Sequence, residues 1–92
     1  MPQLTVAVGS SVGLHARPAS LLVAAAGKAV AGGSASSVTI AKDGSEPADA
    51  RSILSVIALG AGPGDEVVLA AEGDGADAVL QELAAIVASE ED

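Results

Sequence analysis

His15 is the only histidine in a chain of 92 residues, and it stands two positions before Arg17 in "VGLHARPAS", residues 12–20. Cations are scarce, four Lys and Arg against twelve Asp and Glu, so an arginine beside the one imidazole asks for a reason. Pro18 presets the φ angle of a first helical turn while removing one backbone donor. Positions 14 to 17 hold no Ser, Thr, Asp or Asn, the side chains that ordinarily cap a helix. The early N–H groups, such as those of Ala16, Arg17 and Ala19, therefore lack an obvious side-chain acceptor. The result is a helix start with partial positive charge, reinforced by Arg17, which is a place for an anion. The same charge disfavours imidazolium, so His15 is expected to stay neutral and nucleophilic near neutral pH. A neutral ring nitrogen can attack a phosphoryl group, and the resulting dianion then meets helix amides and a guanidinium. The P–N bond stays energetic, so the group can leave again, as a carrier requires. On residue types alone a plainer reading stays open: a solvated or hydrogen-bonded loop histidine, with Arg17 paired to a carboxylate.

The elements that must hold this stretch can be read from apolar periodicity. Residues 3 to 9, "QLTVAVG", put Leu4, Val6 and Val8 on one face of a strand. A helix is predicted from Ala16 to about Val30, with Leu21, Leu22, Ala25 and Ala29 on a common face and Gly27 weakening its C-terminal part. "SVTIAK" (37 to 42) is a second strand, and "DGS" (43 to 45) turns it into a short edge strand near Glu46 to Ala50, demoted by Pro47. Ser52 caps a short helix over 53 to 59, ended by Gly60, in which Leu54 or Ile57 at least should reach the core. "DEVVLAAE" (65 to 72) is the last strand. Asp74 is expected to cap a final helix with Val79, Leu80, Leu83, Ile86 and Val87 as its apolar stripe, and the terminal "EED" opposes that helix's dipole. The order β-α-β-β-α-β-α makes an α+β two-layer sandwich on a largely antiparallel sheet.

Composition bounds the function. The length fits a single domain, residues 1–92, and a chain of this size buries roughly 60–65% of the surface it exposes when unfolded. With no Phe, Tyr or Trp, 24 Val, Leu and Ile residues and many of 21 Ala must fill the core. No cysteine and one histidine leave no disulfide and no zinc site. A net charge of −8 without aromatic platforms excludes nucleic acid. No signal peptide or membrane span is legible, so a cytoplasmic, soluble chain is expected. Two apparent motifs fail on context. "GAGPG" (60 to 64) follows a helix and precedes a strand, the reverse of a dinucleotide loop. "EGDGAD" (72 to 77) lacks the spacing of a calcium loop.

"GLHARPAS" (13 to 20) resembles the phosphorylation-site motif of the HPr family, the histidine-containing phosphocarriers of the phosphoenolpyruvate-dependent sugar phosphotransferase system. "ARSILSVIALGAGPGDEVVLAAEG" (50 to 73) is similar to that family's second signature, and the element order also matches, so the likeness covers essentially the whole chain. It implies a four-stranded antiparallel sheet of order 1-4-2-3 with three helices on one face. It implies that His15 accepts a phosphoryl group on Nδ1 from enzyme I and passes it to enzyme IIA domains; the residues themselves do not choose between ring nitrogens. Arg17 matches the arginine that neutralises the phosphoryl group, with the Ala16 and Arg17 amides beside it. Such a protein cycles as a monomeric co-substrate rather than a turnover catalyst, and needs no cofactor or metal.

Ser52 matches the serine that a regulatory kinase modifies in many relatives, and a phosphate there would lie beside Ile53 and Val56. These two are expected to be partly exposed, forming with Ser20 and Leu21 a small apolar docking patch near His15. Two features depart from the family's pattern. Basic residues common on the exposed face of the first helix are mostly Ala here, with Lys28 remaining, and Val12 replaces a small polar residue. Two other roles fit the same resemblance. One is a regulatory module that docks onto a transcription regulator or enzyme with Ser52 as its switch. The other is a carrier of a branch devoted to fructose, or to nitrogen or metabolic regulation.

Overall fold

Alternation along three segments builds one apolar sheet face. In the computed structural model, which describes residues 2–9, 11, 13–14, 16–42 and 45–89, these are β1 (Gln3–Ala7), β2 (Ser37–Lys42) and β4 (Glu66–Glu72). They join β3 (Ala48–Asp49) in a four-stranded, wholly antiparallel sheet of order β1-β4-β2-β3. The register aligns Leu4, Leu69, Ile40 and Ala48 in one row across all four strands. Leu69 and Ile40 are fully buried there, while Gln3, Thr5 and Ala7 face the opposite, open side. β3 has only two paired residues, in keeping with Pro47, which can donate no ladder bond. The expected turn at Asp43 and Gly44 lies outside the described residues.

Three helices cover the apolar face: α1 (Ala16–Ala31), α2 (Ile53–Ala58) and α3 (Ala76–Ala88). α1 buries Pro18, Ala19, Leu22 and Ala26, a stripe at i, i+1, i+4 and i+8. Leu21, expected on that face, is 58% exposed, and Ala25 and Ala29 lie at its edge. The helix runs through Gly27, where the glycine costs about 1 kcal/mol relative to Ala and burial of Leu22 and Ala26 offsets it. It ends in a Schellman arrangement, with the Gly33 N–H on the Val30 carbonyl (3.2 Å) and the Ser34 N–H on the Ala29 carbonyl (3.0 Å). α3 buries Ala76, Val79, Leu80, Leu83 and Val87. Its N-cap is Gly75 and no side chain caps it, so Asp74 does not take the capping place assigned to it from the sequence. The terminal acidic residues 90–92 lie outside the described residues.

α2 corrects a further expectation. Its six residues "ILSVIA" carry apolar side chains all round, and only Val56 points inward, fully buried, while Leu54 is 78% and Ile57 41% exposed. Ser52 sets the rotation: its hydroxyl accepts the Ser55 N–H (3.4 Å), and its carbonyl accepts the Val56 N–H (3.0 Å). Val56 is therefore core, and its side chain is not available as surface for a docking partner.

Candidate functional site

His15 lies outside the described residues; Gly13 and Leu14 precede it and Ala16 and Arg17 follow it. Gly13 is buried with a positive φ of 84°, and a Cβ there would stand 2.7 Å from the Ala61 carbonyl oxygen. Only glycine meets both demands. Leu14 is buried and donates its N–H to that same Ala61 oxygen at 2.9 Å. On the far side, Ala16 and Arg17 form the exposed first turn of α1, pinned from beneath by buried Pro18 and Ala19. That turn carries no acidic residue, so the positive end of a 16-residue helix is not neutralised from within. An anion is favoured at this place on electrostatic grounds.

Arg17, Ser20 and Leu21 line an open groove of about 480 Å³ between α1 and α3, with Ile86 and Ser89 on its other wall. The structure thus brings three of the sequence-chosen residues together. Ser52, by contrast, is half-buried at the start of α2, which packs against α1. Ile53 is 38% exposed, and with Ile57 one turn on and Leu54 beside it gives α2 an apolar outer side. Leu54 and Ile57 were not singled out as surface residues. A six-residue helix with four aliphatic side chains shows no periodicity that tells inside from outside; the Ser52 cap does.

Ion pairs flank this region. Asp49 accepts the Arg51 N–H (2.9 Å) and meets its guanidinium (3.3 Å), fastening the turn that leads into Ser52. These bonds, the backbone one foremost, hold the Asp49 carboxyl below its ordinary value. Asp65 accepts the Gly62 N–H at 2.8 Å and pairs with Lys42 at 3.5 Å, and the Gly62 bond above all lowers its carboxyl too. Among the described residues no group of three or more His, Cys, Asp or Glu could hold a metal ion, and no helix is long and apolar enough to cross a membrane.

Residues 2–89 match the family model described as the PTS HPr component phosphorylation site. The chain belongs to the HPr family. It is 47% identical over 88 residues to the phosphocarrier protein HPr of Streptomyces coelicolor, covering 96% of this chain and 89% of that one. It is also 38% identical over 90 residues to the HPr-like protein Crh of Bacillus subtilis, covering 98% and 99%. Among solved structures, the crystal structure of HPr from Bacillus anthracis superposes with a TM-score of 0.81 at 36% identity, over 94% of this chain and 95% of that one. HPr proteins are phosphocarriers of the phosphotransferase system, and the HPr fold is the 1-4-2-3 sheet described above.

Proposed function

We propose that this chain is a cycling phosphocarrier of the cytoplasm, a single domain that takes a phosphoryl group from phospho-enzyme I onto His15 and yields it to an enzyme IIA domain of sugar uptake. The lone pair of a ring nitrogen, Nδ1 by family likeness, attacks phosphorus. The P–N bond forms as the bond from phosphorus to its donor breaks, and the donor leaves with that electron pair. Delivery runs the same exchange toward the acceptor. Arg17 and the amides of Ala16 and Arg17 balance the dianion. Ser20, Leu21 and Ile53 contribute partner contacts, and phosphorylation of Ser52 would place negative charge beside them.

The observation that carries this reading is the family match over residues 2–89, a span that includes "GLHARPAS" and the α2 signature alike. The Crh likeness favours a second reading, a regulatory partner protein in which docking rather than phosphoryl transfer is the output. Intact-mass spectrometry after incubation with phosphoenolpyruvate, magnesium and catalytic enzyme I separates the two. One added phosphoryl group, labile in acid, stable in base and absent from His15→Ala, is the expected result. No addition with the cognate, active enzyme I would leave the regulatory reading standing.

A further inference from the structure

The phosphoryl chemistry proposed for His15 needs the segment before it held in place, and that segment runs as a loop from the end of β1 to the start of α1. Its restraints converge on another loop, residues 60–65. Gly62, Pro63, Gly64 and Asp65 form a turn closed by the Asp65 N–H on the Gly62 carbonyl (3.1 Å). Proline in second place and Gly64 at φ 78° in third fit a type II turn. The Asp65 carboxylate then returns to the Gly62 N–H at 2.8 Å, so one residue closes the turn twice. The turn grips the end of β1 with two bonds, Gly64 N–H to the Val8 carbonyl (3.0 Å) and Val8 N–H to the Asp65 carbonyl (2.9 Å). Ala61, next to Gly62, takes the Leu14 N–H. Both ends of the loop that leads to His15 therefore hang on 61–65.

Lys42 completes the arrangement. The register puts it opposite Val67 on the helix-covered face, at the last position of β2. From there its Nζ reaches the Asp65 carboxylate (3.5 Å) and the Gly60 carbonyl (3.4 Å), tying the loop's start to its end. The pair is about 40% exposed at both side chains, so its contribution to global stability is small. Its geometric consequence is larger, because transfer between two proteins depends on near-attack alignment that a small displacement spoils.

We infer that Asp65, braced by Lys42, is a positioning residue: it fixes the 61–65 loop and, through Ala61 and Leu14, the placement of the residue that follows Leu14. Asp65 touches no phosphoryl group; it acts through the backbone. The inference rests on the phosphocarrier reading, and its test keeps the two apart.

Asp65→Ala, Asp65→Asn and Lys42→Met are compared with wild type in two measurements. Amide hydrogen exchange of Leu14 needs no phosphoryl donor; Asp65→Ala should speed it by about tenfold relative to the amides of α1 and α3. Steady-state loading by enzyme I should show kcat reduced at least about fivefold with KM for the carrier nearly unchanged. Asp65→Asn, whose amide oxygen still accepts the Gly62 N–H, should recover most of both, and Lys42→Met should fall between. A variant that merely unfolds would lose α1 and α3 protection together with Leu14. Unchanged Leu14 exchange, or unchanged kcat despite faster exchange, overturns the inference. Failure of wild type to load at all refutes the phosphocarrier reading instead, and is seen before any variant is compared.

Discussion

Ser52 caps α2 and, in the proposed function, carries a regulatory phosphate, two roles that a single substitution pair can separate. As the N-cap of α2 it satisfies the Ser55 N–H, and replacing it with Ala should cost about 1 kcal/mol. Aspartate caps as well as serine does, so Ser52→Asp should keep the melting temperature near that of wild type while setting a charge beside exposed Ile53. If the outer side of α2 meets enzyme I, Ser52→Asp loads more slowly and Ser52→Ala does not; equal loading rates would remove α2 from the docking surface. Gly13 makes the complementary case. Gly13→Ala must hold a side chain at φ 84° and push it against the Ala61 oxygen, a cost of about 1–3 kcal/mol by thermal or urea unfolding. The chemistry proposed for His15 stands out in the sequence because a lone imidazole close to an arginine in an acidic chain is conspicuous. The backbone devices beside it do not, since a type II turn and the bond from the Leu14 N–H to the Ala61 carbonyl leave only glycines and a proline as their trace.

Elements announce themselves in proportion to how much of their surface is decided by one face. β2 is found at 37–42 as its alternation predicts, and the α3 stripe is buried except for Ile86, which is partly so. α1 forms where its pattern predicts it, yet Leu21, expected on the buried stripe, is exposed: Leu21 and Leu22 are adjacent, and only the packing against α3 and the sheet decides which turns inward. α2 defeats periodicity altogether, being under two turns long. It is held by one buried side chain, Val56, and one cap, whereas α1 and α3 bury four and five residues each. Amides of Ile53–Ala58 should accordingly exchange faster than those of either long helix, by local opening that does not require global unfolding. Leu22→Ala, at a fully buried position of α1, should instead lower global stability by about 2–5 kcal/mol. Equal protection in all three helices would mean that α2 opens only when the whole fold does.

At the scale of the whole molecule, charge sets how stability responds to pH and salt. Twelve carboxylates against four cations repel one another at pH 7, and two of the cations, Lys42 and Arg51, are each already committed to an aspartate. Added salt at pH 7 should therefore raise the melting temperature rather than lower it, as screening relieves more repulsion than attraction. Acid acts in the opposite sense through two residues. Asp49 and Asp65 titrate below their ordinary value of 3.8 in the folded chain, so the native state holds their protons less tightly than the unfolded chain does. Their contribution to stability is fully present above that ordinary value and is lost as pH falls through their lower, folded values. From pH 7 down to about 4.5 the melting temperature should hold or rise, as exposed carboxylates lose charge, and below about 4 it should fall. With no Phe, Tyr or Trp to report by fluorescence, far-UV circular dichroism is the probe. The double variant Asp49→Asn, Asp65→Asn isolates the cause: its melting temperature should lie below wild type at pH 7, and the gap should narrow as pH falls below the ordinary value of 3.8. A gap that stays constant until acid unfolds both chains would mean that these two aspartates act by shape rather than by charge.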